Sequence, residues 1–156
     1  MNVTFTNLQD LVKNNTKYIE IIKNKYLYLL SMLTIVNSID TKKFIDNVDK
    51  IHENGIIYIA YIGNIDDFTF EIVASGTIFI EQKLIHNLQS VGHIEDIVVH
   101  KEYRKNGLSK NIIDNLVEYA KNKNCYKVIL DCSEKIIQVY KNCNFEKKGI
   151  QMSMYF

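Results

Sequence analysis

The chain has 156 residues, 47% hydrophobic, 24% charged and 11% aromatic, which is enough apolar material for the core of one globular domain spanning residues 1–156. Its formal net charge of +1 excludes a surface-wide attraction for nucleic acid or an anionic membrane, so any anionic ligand must be met by local basic groups. No apolar run reaches the ~20 residues that a membrane-crossing helix requires, and MNVTFTNLQDLVKNN lacks the basic-then-apolar pattern of a signal peptide.

In chain order, residues 17–33 carry apolar side chains at helical spacing and predict an amphipathic helix interrupted near Asn24. Asp40 is placed to cap a second helix over 41–53, with Phe44, Ile45, Val48 and Ile51 on one side and Gly55 as its stop. Residues 56–62, 68–80 and 91–99 read as strands, the first two joined through Gly63, Asn64, Asp66 and Asp67. A long helix follows at 107–122, with Ile112, Ile113, Leu116, Val117 and Ala120 inward. A strand at 126–131, a short helix at 134–142 and a terminal strand or strand pair within 145–156 complete the pattern. Helices first, an antiparallel meander next and a strand–helix alternation last predict an α/β (α+β) fold: a mixed central sheet with helices on both faces.

Cys125, Cys132 and Cys143 show no CxxC spacing. Neither a metal site nor a dithiol is expected, and a reducing, cytoplasmic setting is the default. Without secretion the glycosylation sequons at Asn2 and Asn14 carry no meaning. Between the predicted strand 91–99 and the helix at 107 lie Arg104, Lys105, Asn106, Gly107, Leu108, Ser109 and Lys110. Unsatisfied N–H groups at a helix start favour an anion. Small residues at 107 and 109 allow the backbone to approach a pyrophosphate. Read alone, this segment is equally a helix start with solvated lysines. It matches neither a P-loop nor a Rossmann fingerprint.

The spacing Arg104-x-x-Gly107-x-Ser109 resembles the Q/R-x-x-G-x-G/A signature of the GNAT acetyltransferases, with Ser109 departing from the usual Gly or Ala. Residues 92–99 (GHIEDIVV), 125–132 (CYKVILDC) and 140–145 (YKNCNF) are similar to the corresponding segments of glucosamine-6-phosphate N-acetyltransferases, in the same order. The resemblance is close over 80–149, looser over 27–79 and absent over the first 25 residues. It implies a GNAT fold, acetyl-CoA as co-substrate, a phosphorylated amino sugar as acceptor in hexosamine biosynthesis, no metal and a homodimer. Cofactor contacts are then expected from Ile97, Val98, Val99, Arg104, Lys105, Asn106, Gly107, Leu108, Ser109, Lys110 and Tyr140. Substrate contacts are expected from Thr34, Lys83, His86, Glu95, Asp96, Tyr126 and Lys127.

Glu95 and Asp96 are adjacent carboxylates in an otherwise apolar strand, where side chains alternate between faces. One of them must turn toward the buried layer unless a bulge, a ligand or a basic partner intervenes. The resemblance assigns catalysis to Tyr140 as the acid for the leaving thiolate, to the Asp131 carbonyl as the orienting acceptor for the amine, and to Glu95 in placing the substrate. An oxyanion donor is expected among the backbone N–H groups of residues 97–99. Asn144 replaces the family's usual Gly and suits a left-handed helix closure. The tail from Gln151 to Phe156 lacks the arginine that the family carries near its C-terminus, so either Lys83, His86 and Lys127 do all of the phosphate binding or the substrate is held differently. A GNAT enzyme for another small amine and a non-catalytic acyl-CoA-binding module are the alternatives.

Overall fold

The computed structural model describes residues 2–156. One sheet runs in the order β1-β2-β3-β4-β5, formed by Thr4–Asn7, Gly55–Ile62, Glu71–Glu81, Ser90–Val99 and Cys125–Leu130. Neighbouring strands are antiparallel except β4 and β5, which are parallel. A parallel pair requires a crossover, and the helix α4 (Leu108–Asn122) supplies it. The helices α1 (Leu8–Asn14), α2 (Ile19–Leu30) and α3 (Thr41–Glu53) precede β2, and α5 (Ile137–Lys141) follows β5. This is the mixed, mostly antiparallel sheet that the sequence predicts.

Strand alternation distributes the core between two faces. Ile57 and Ile59 of β2 pack with Leu8, Leu11, Ile22, Leu29, Phe44 and Val48 from the first three helices. Ala60, Ile78 and Ile94 face the other way, against Leu108, Ile112, Ile113, Leu116 and Ala120 of α4. Each fully buried Leu or Ile contributes roughly 1.5–3 kcal/mol. The inward stripe of α4 falls where the sequence puts it, except that Val117 is only half-buried.

Several expectations need correction. The helix over 19–30 is unbroken at Asn24, because Ile22, Tyr26 and Leu29 keep one continuous face on the core. Asp40 does cap α3, accepting from Lys43 N–H at 3.1 Å. That helix closes on Asn54 rather than on Gly55. Asn54 N–H donates to Ile51 O at 3.4 Å, while its carbonyl takes Ile80 N–H at 2.7 Å and so fastens the helix end to the sheet. Gly55 is the first residue of β2. The third strand begins at Glu71, since Phe68 has φ 61° and belongs to the turn. No element was expected before residue 17, yet β1 pairs with β2 and α1 is capped by Asn7. Residues 145–156 form no strand, and from Glu146 onward the tail is exposed.

Candidate active site

Two irregularities of β4 shape the site. Along the β3 edge, Thr77 is opposite Glu95 but Ser75 is opposite Val98, so β4 carries one residue more than β3 over the same stretch. That bulge contains Asp96, with φ 53°. Gly76 lies across from it, where a Cβ would crowd Ile112 of α4 at 2.7 Å as well as Ile97. The adjacent-carboxylate problem is thereby solved: the bulge keeps both Glu95 and Asp96 out of the core, Glu95 retaining only partial burial.

On its other edge, β4 pairs with β5 only as far as Ile94 opposite Leu130. Beyond these residues the strands part. His100 N–H donates to Val73 O at 2.8 Å, so Val99 next to it turns its own N–H and carbonyl away from β3, toward the open edge. Val98 is opposite Ser75 and directs its backbone groups to β3 instead.

Carboxylates gather where the strands part. Partial burial and the nearby Asp96 and Asp131 carboxylates push the Glu95 carboxyl up, while His93 opposes them. Beneath the bulge, the buried Tyr26 hydroxyl meets Ser75 Oγ at 3.3 Å. Burial, with a contribution from Asp96, raises its pKa to about 12.

The segment 104–110 is a strand-to-helix turn, as its sequence predicts. Gly107 occupies the N-cap position of α4 at φ 76°, and no side chain caps the helix. A Cβ there would meet nothing within 4 Å, so the space above the turn is open. The left-handed conformation costs an ordinary residue roughly 1–2 kcal/mol, which is why glycine is needed. Lys105 is also left-handed, at φ 67°. Arg104 Nε donates to Val99 O at 3.2 Å, taking the carbonyl that β4 leaves free. Lys110 is paired with Asp114 one turn along α4. Uncapped N–H groups, a positive dipole end and flanking cations suit a pyrophosphate.

Tyr140 sits on α5, 9% exposed. The helix end holds it firmly: Phe145 N–H donates to Tyr140 O at 3.0 Å, Asn144 N–H donates to Lys141 O at 3.0 Å, and Asn144 has φ 65°. This is a Schellman closure, and its customary apolar contact is present as Tyr140 and Phe145 rings 6.2 Å apart. Burial, together with the neighbouring Cys132 and Cys143, pushes the phenol above its ordinary pKa. Its hydroxyl has no hydrogen-bond partner among the described residues, yet it is not sealed off. It faces a groove of about 1180 Å³ that also borders Leu130, Asp131, Cys132 and the outer edge of β5. Cys132 is exposed, and none of the three thiols forms a disulfide.

The predicted phosphate ligands collect around the opposite end of β4. His86 and Tyr126 rings lie 4.3 Å apart, and Lys127 Nζ is 5.5 Å from the Tyr126 ring centroid. His86, Asn87 and Leu88 all have positive φ, an expensive run for non-glycine residues in an exposed loop. Lys83 pairs with Glu81, whose other oxygen meets His93 Nε2 at 2.8 Å. Both partners hold the Glu81 carboxyl below its usual range. Sequence reasoning missed Glu81 and His93; only the β3–β4 register brings them together, and no local pattern encodes it. Thr34 lies in the turn after α2, with its N–H on Leu30 O at 3.2 Å. No group of three or more His, Cys, Asp or Glu side chains suited to a metal occurs among the described residues.

A parting sheet beside an uncapped, glycine-led helix start matches a transferase fold, and the chain belongs to the acetyltransferase (GNAT) family, whose sequence profile matches residues 27–145. Within that family its relatives include glucosamine 6-phosphate N-acetyltransferases. The chain is 40% identical to glucosamine 6-phosphate N-acetyltransferase 1 of Dictyostelium discoideum over 114 residues, 73% of this chain and 72% of that one. It is 34% identical to the Arabidopsis thaliana enzyme over 131 residues, 84% and 87% of the two chains. The crystal structure of glucosamine-6-phosphate N-acetyltransferase from Arabidopsis thaliana superposes with a TM-score of 0.83 at 30% identity, covering 100% of this chain and 99% of that one.

Proposed function

We propose that this protein transfers the acetyl group of acetyl-CoA to the amine of glucosamine 6-phosphate, a step of amino-sugar nucleotide synthesis. The observation that carries the reading is the parting of β4 and β5 after Ile94 and Leu130, with a carboxylate cluster on one side and the buried Tyr140 phenol nearby. Its similarity to glucosamine 6-phosphate N-acetyltransferases supports the acceptor. The whole chain, 1–156, acts as one catalytic domain, and three free cysteines suit a reducing, cytoplasmic setting.

Acetyl-CoA supplies a thioester carbonyl and a thiolate leaving group. Its pyrophosphate fits the N–H groups of residues 107–110, because Gly107 leaves open space above them, with Arg104 and Lys105 flanking. The Val99 N–H, free of β3, is the donor available to a developing oxyanion on the open edge. The sugar phosphate is met by Lys83, His86 and Lys127, and the Tyr126 ring offers the sugar an apolar wall. Glu95 and Asp96 accept hydrogen bonds from the sugar, the Asp131 carbonyl orients the neutral amine, and the proton that the nitrogen sheds as the C–N bond forms leaves to solvent. Tyr140, a phenol that is neutral at pH 7 and whose pKa burial raises further, gives its proton to the departing sulfur as the C–S bond breaks. Holding both reactants in line supplies much of the rate.

The protein acts as a homodimer. Ile150, Met152, Met154, Tyr155 and Phe156 are almost fully exposed, while the outer edge of β5 lacks a neighbour. An unpaired edge and an apolar tail complement each other across two copies. The deciding experiment is thiol release from acetyl-CoA with glucosamine 6-phosphate against unphosphorylated glucosamine. Strong preference for the phosphosugar is expected. Equal rates, or release with an unrelated amine only, overturn the substrate assignment.

A further inference from the structure

His100 ends β4 with an imidazole only 3% exposed, walled by the rings of Tyr28 at 6.0 Å and Tyr103 at 5.3 Å. A buried imidazole needs partners for both ring nitrogens. Nδ1 accepts Glu102 N–H at 3.3 Å, capping the 3₁₀ turn Lys101–Tyr103. The ring proton then resides on Nε2, which faces Glu71 Oε1 at 3.6 Å. The second Glu71 oxygen takes the Tyr103 hydroxyl at 3.0 Å, and Tyr103 N–H returns to His100 O at 2.9 Å. The brace therefore runs from β3 through His100 into Tyr103. From there the Tyr103 carbonyl accepts Asn106 Nδ2 at 3.2 Å, one residue before Gly107.

Above this brace, residues 104–107 are exposed, two of them left-handed, and nothing packs on Gly107. Their conformation has to be fixed from below. We propose that His100 is a positioning residue for acetyl-CoA, holding the pyrophosphate turn in shape through its cap on Glu102 and its contact with Glu71. The inference rests on reading residues 104–110 as the cofactor turn. His100 does not touch the cofactor; it sets how much of the turn is formed before binding, and so how much ordering the ligand must supply.

The test compares acetyl-CoA dissociation constants by calorimetry, and steady-state kinetics, for the full-length wild type and three variants. Loss of a capping contact alone corresponds to a roughly fivefold change in an equilibrium. His100→Ala, which also loses the brace to Glu71, should weaken acetyl-CoA binding roughly tenfold and raise its KM alike. The kcat at saturating acetyl-CoA and the KM for the phosphosugar should stay within about twofold, a split that general destabilisation does not produce. His100→Asn retains an N-cap acceptor and should recover most of the affinity. Tyr103→Phe, losing one hydrogen bond to Glu71, should fall between wild type and His100→Ala, and it carries the test if the alanine variant does not fold. An unchanged acetyl-CoA dissociation constant in His100→Ala and Tyr103→Phe overturns the proposal, as does an equal rise in both KM values. A wild type that binds no acetyl-CoA overturns the cofactor-turn reading itself, and with it this proposal.

Discussion

The two ends of the site are built from different materials. At the turn before α4 the working groups are backbone N–H donors, and the side chains around them are exposed and sparsely partnered. At the loop between β3 and β4 the working groups are side chains already engaged with one another: Lys83 and His93 on Glu81, and His86 on Tyr126. A backbone cradle binds any pyrophosphate of the right shape and depends on φ and ψ. A side-chain cluster reads charge and is tuned by its internal pairs. On the proposed function, one end would recognise a constant cofactor handle and the other would discriminate among acceptors.

If that division holds, substitutions should separate cleanly between the two substrates. The largest effect belongs to the chemistry between them: Tyr140→Phe should lower kcat by about 10²-fold with the KM for acetyl-CoA little changed, since only the proton donor is removed. Full activity in steady-state assays would assign the proton to another group. Next, Lys83→Ala should raise the KM for glucosamine 6-phosphate by about tenfold, the scale of one charge-assisted contact. The KM for acetyl-CoA should not move, and a matching rise there would erase the division. At the other end, Gly107→Ala should raise the KM for acetyl-CoA several-fold. It should also lower the melting temperature by roughly 2–4 °C, because a Cβ at φ 76° costs about 1 kcal/mol.

The smallest effect sharpens the comparison through pH. The Glu95 carboxyl is raised in the folded protein, so the native state holds that proton more tightly than the unfolded chain does. Its charged form thus detracts from stability increasingly as pH rises through the folded pKa, and the penalty vanishes below the unfolded value. Glu95→Gln should melt slightly higher than wild type at pH 7 while losing activity. The two melting curves should converge below about pH 4. A variant that melts lower at pH 7 would show that the carboxylate is stabilised by its surroundings, contrary to this account.

The legible parts of the molecule are those governed by local rules. The α4 stripe, the Asp40 cap and the turn at Asn144 follow from side-chain periodicity and backbone preference, so the residues themselves announce them. The strand-to-helix turn at 104–110 is legible for the same reason, because it is a backbone conformation that Gly107 makes possible. The Glu81–His93 contact depends on the pairing register of β3 and β4, and short-range patterns carry no trace of it. The N-terminal β1 and α1 were hidden because four residues of strand and seven of helix are too short for a periodic signal. The tail misled in the opposite direction. Its apolar composition announces a strand, but residues 145–156 pair with no strand of the sheet.

The bulge at Asp96 has one more implication. A strand is a two-stroke repeat, and an extra residue advances the phase by half a cycle, so side chains before and after Asp96 are keyed to opposite beats. The carboxylate half of β4 and the half leading into the pyrophosphate turn are thus synchronised by a single amino acid. Any shortening or lengthening between Glu95 and Arg104 would desynchronise donor and acceptor even with every chemical group retained. Here chain length is itself a catalytic specification.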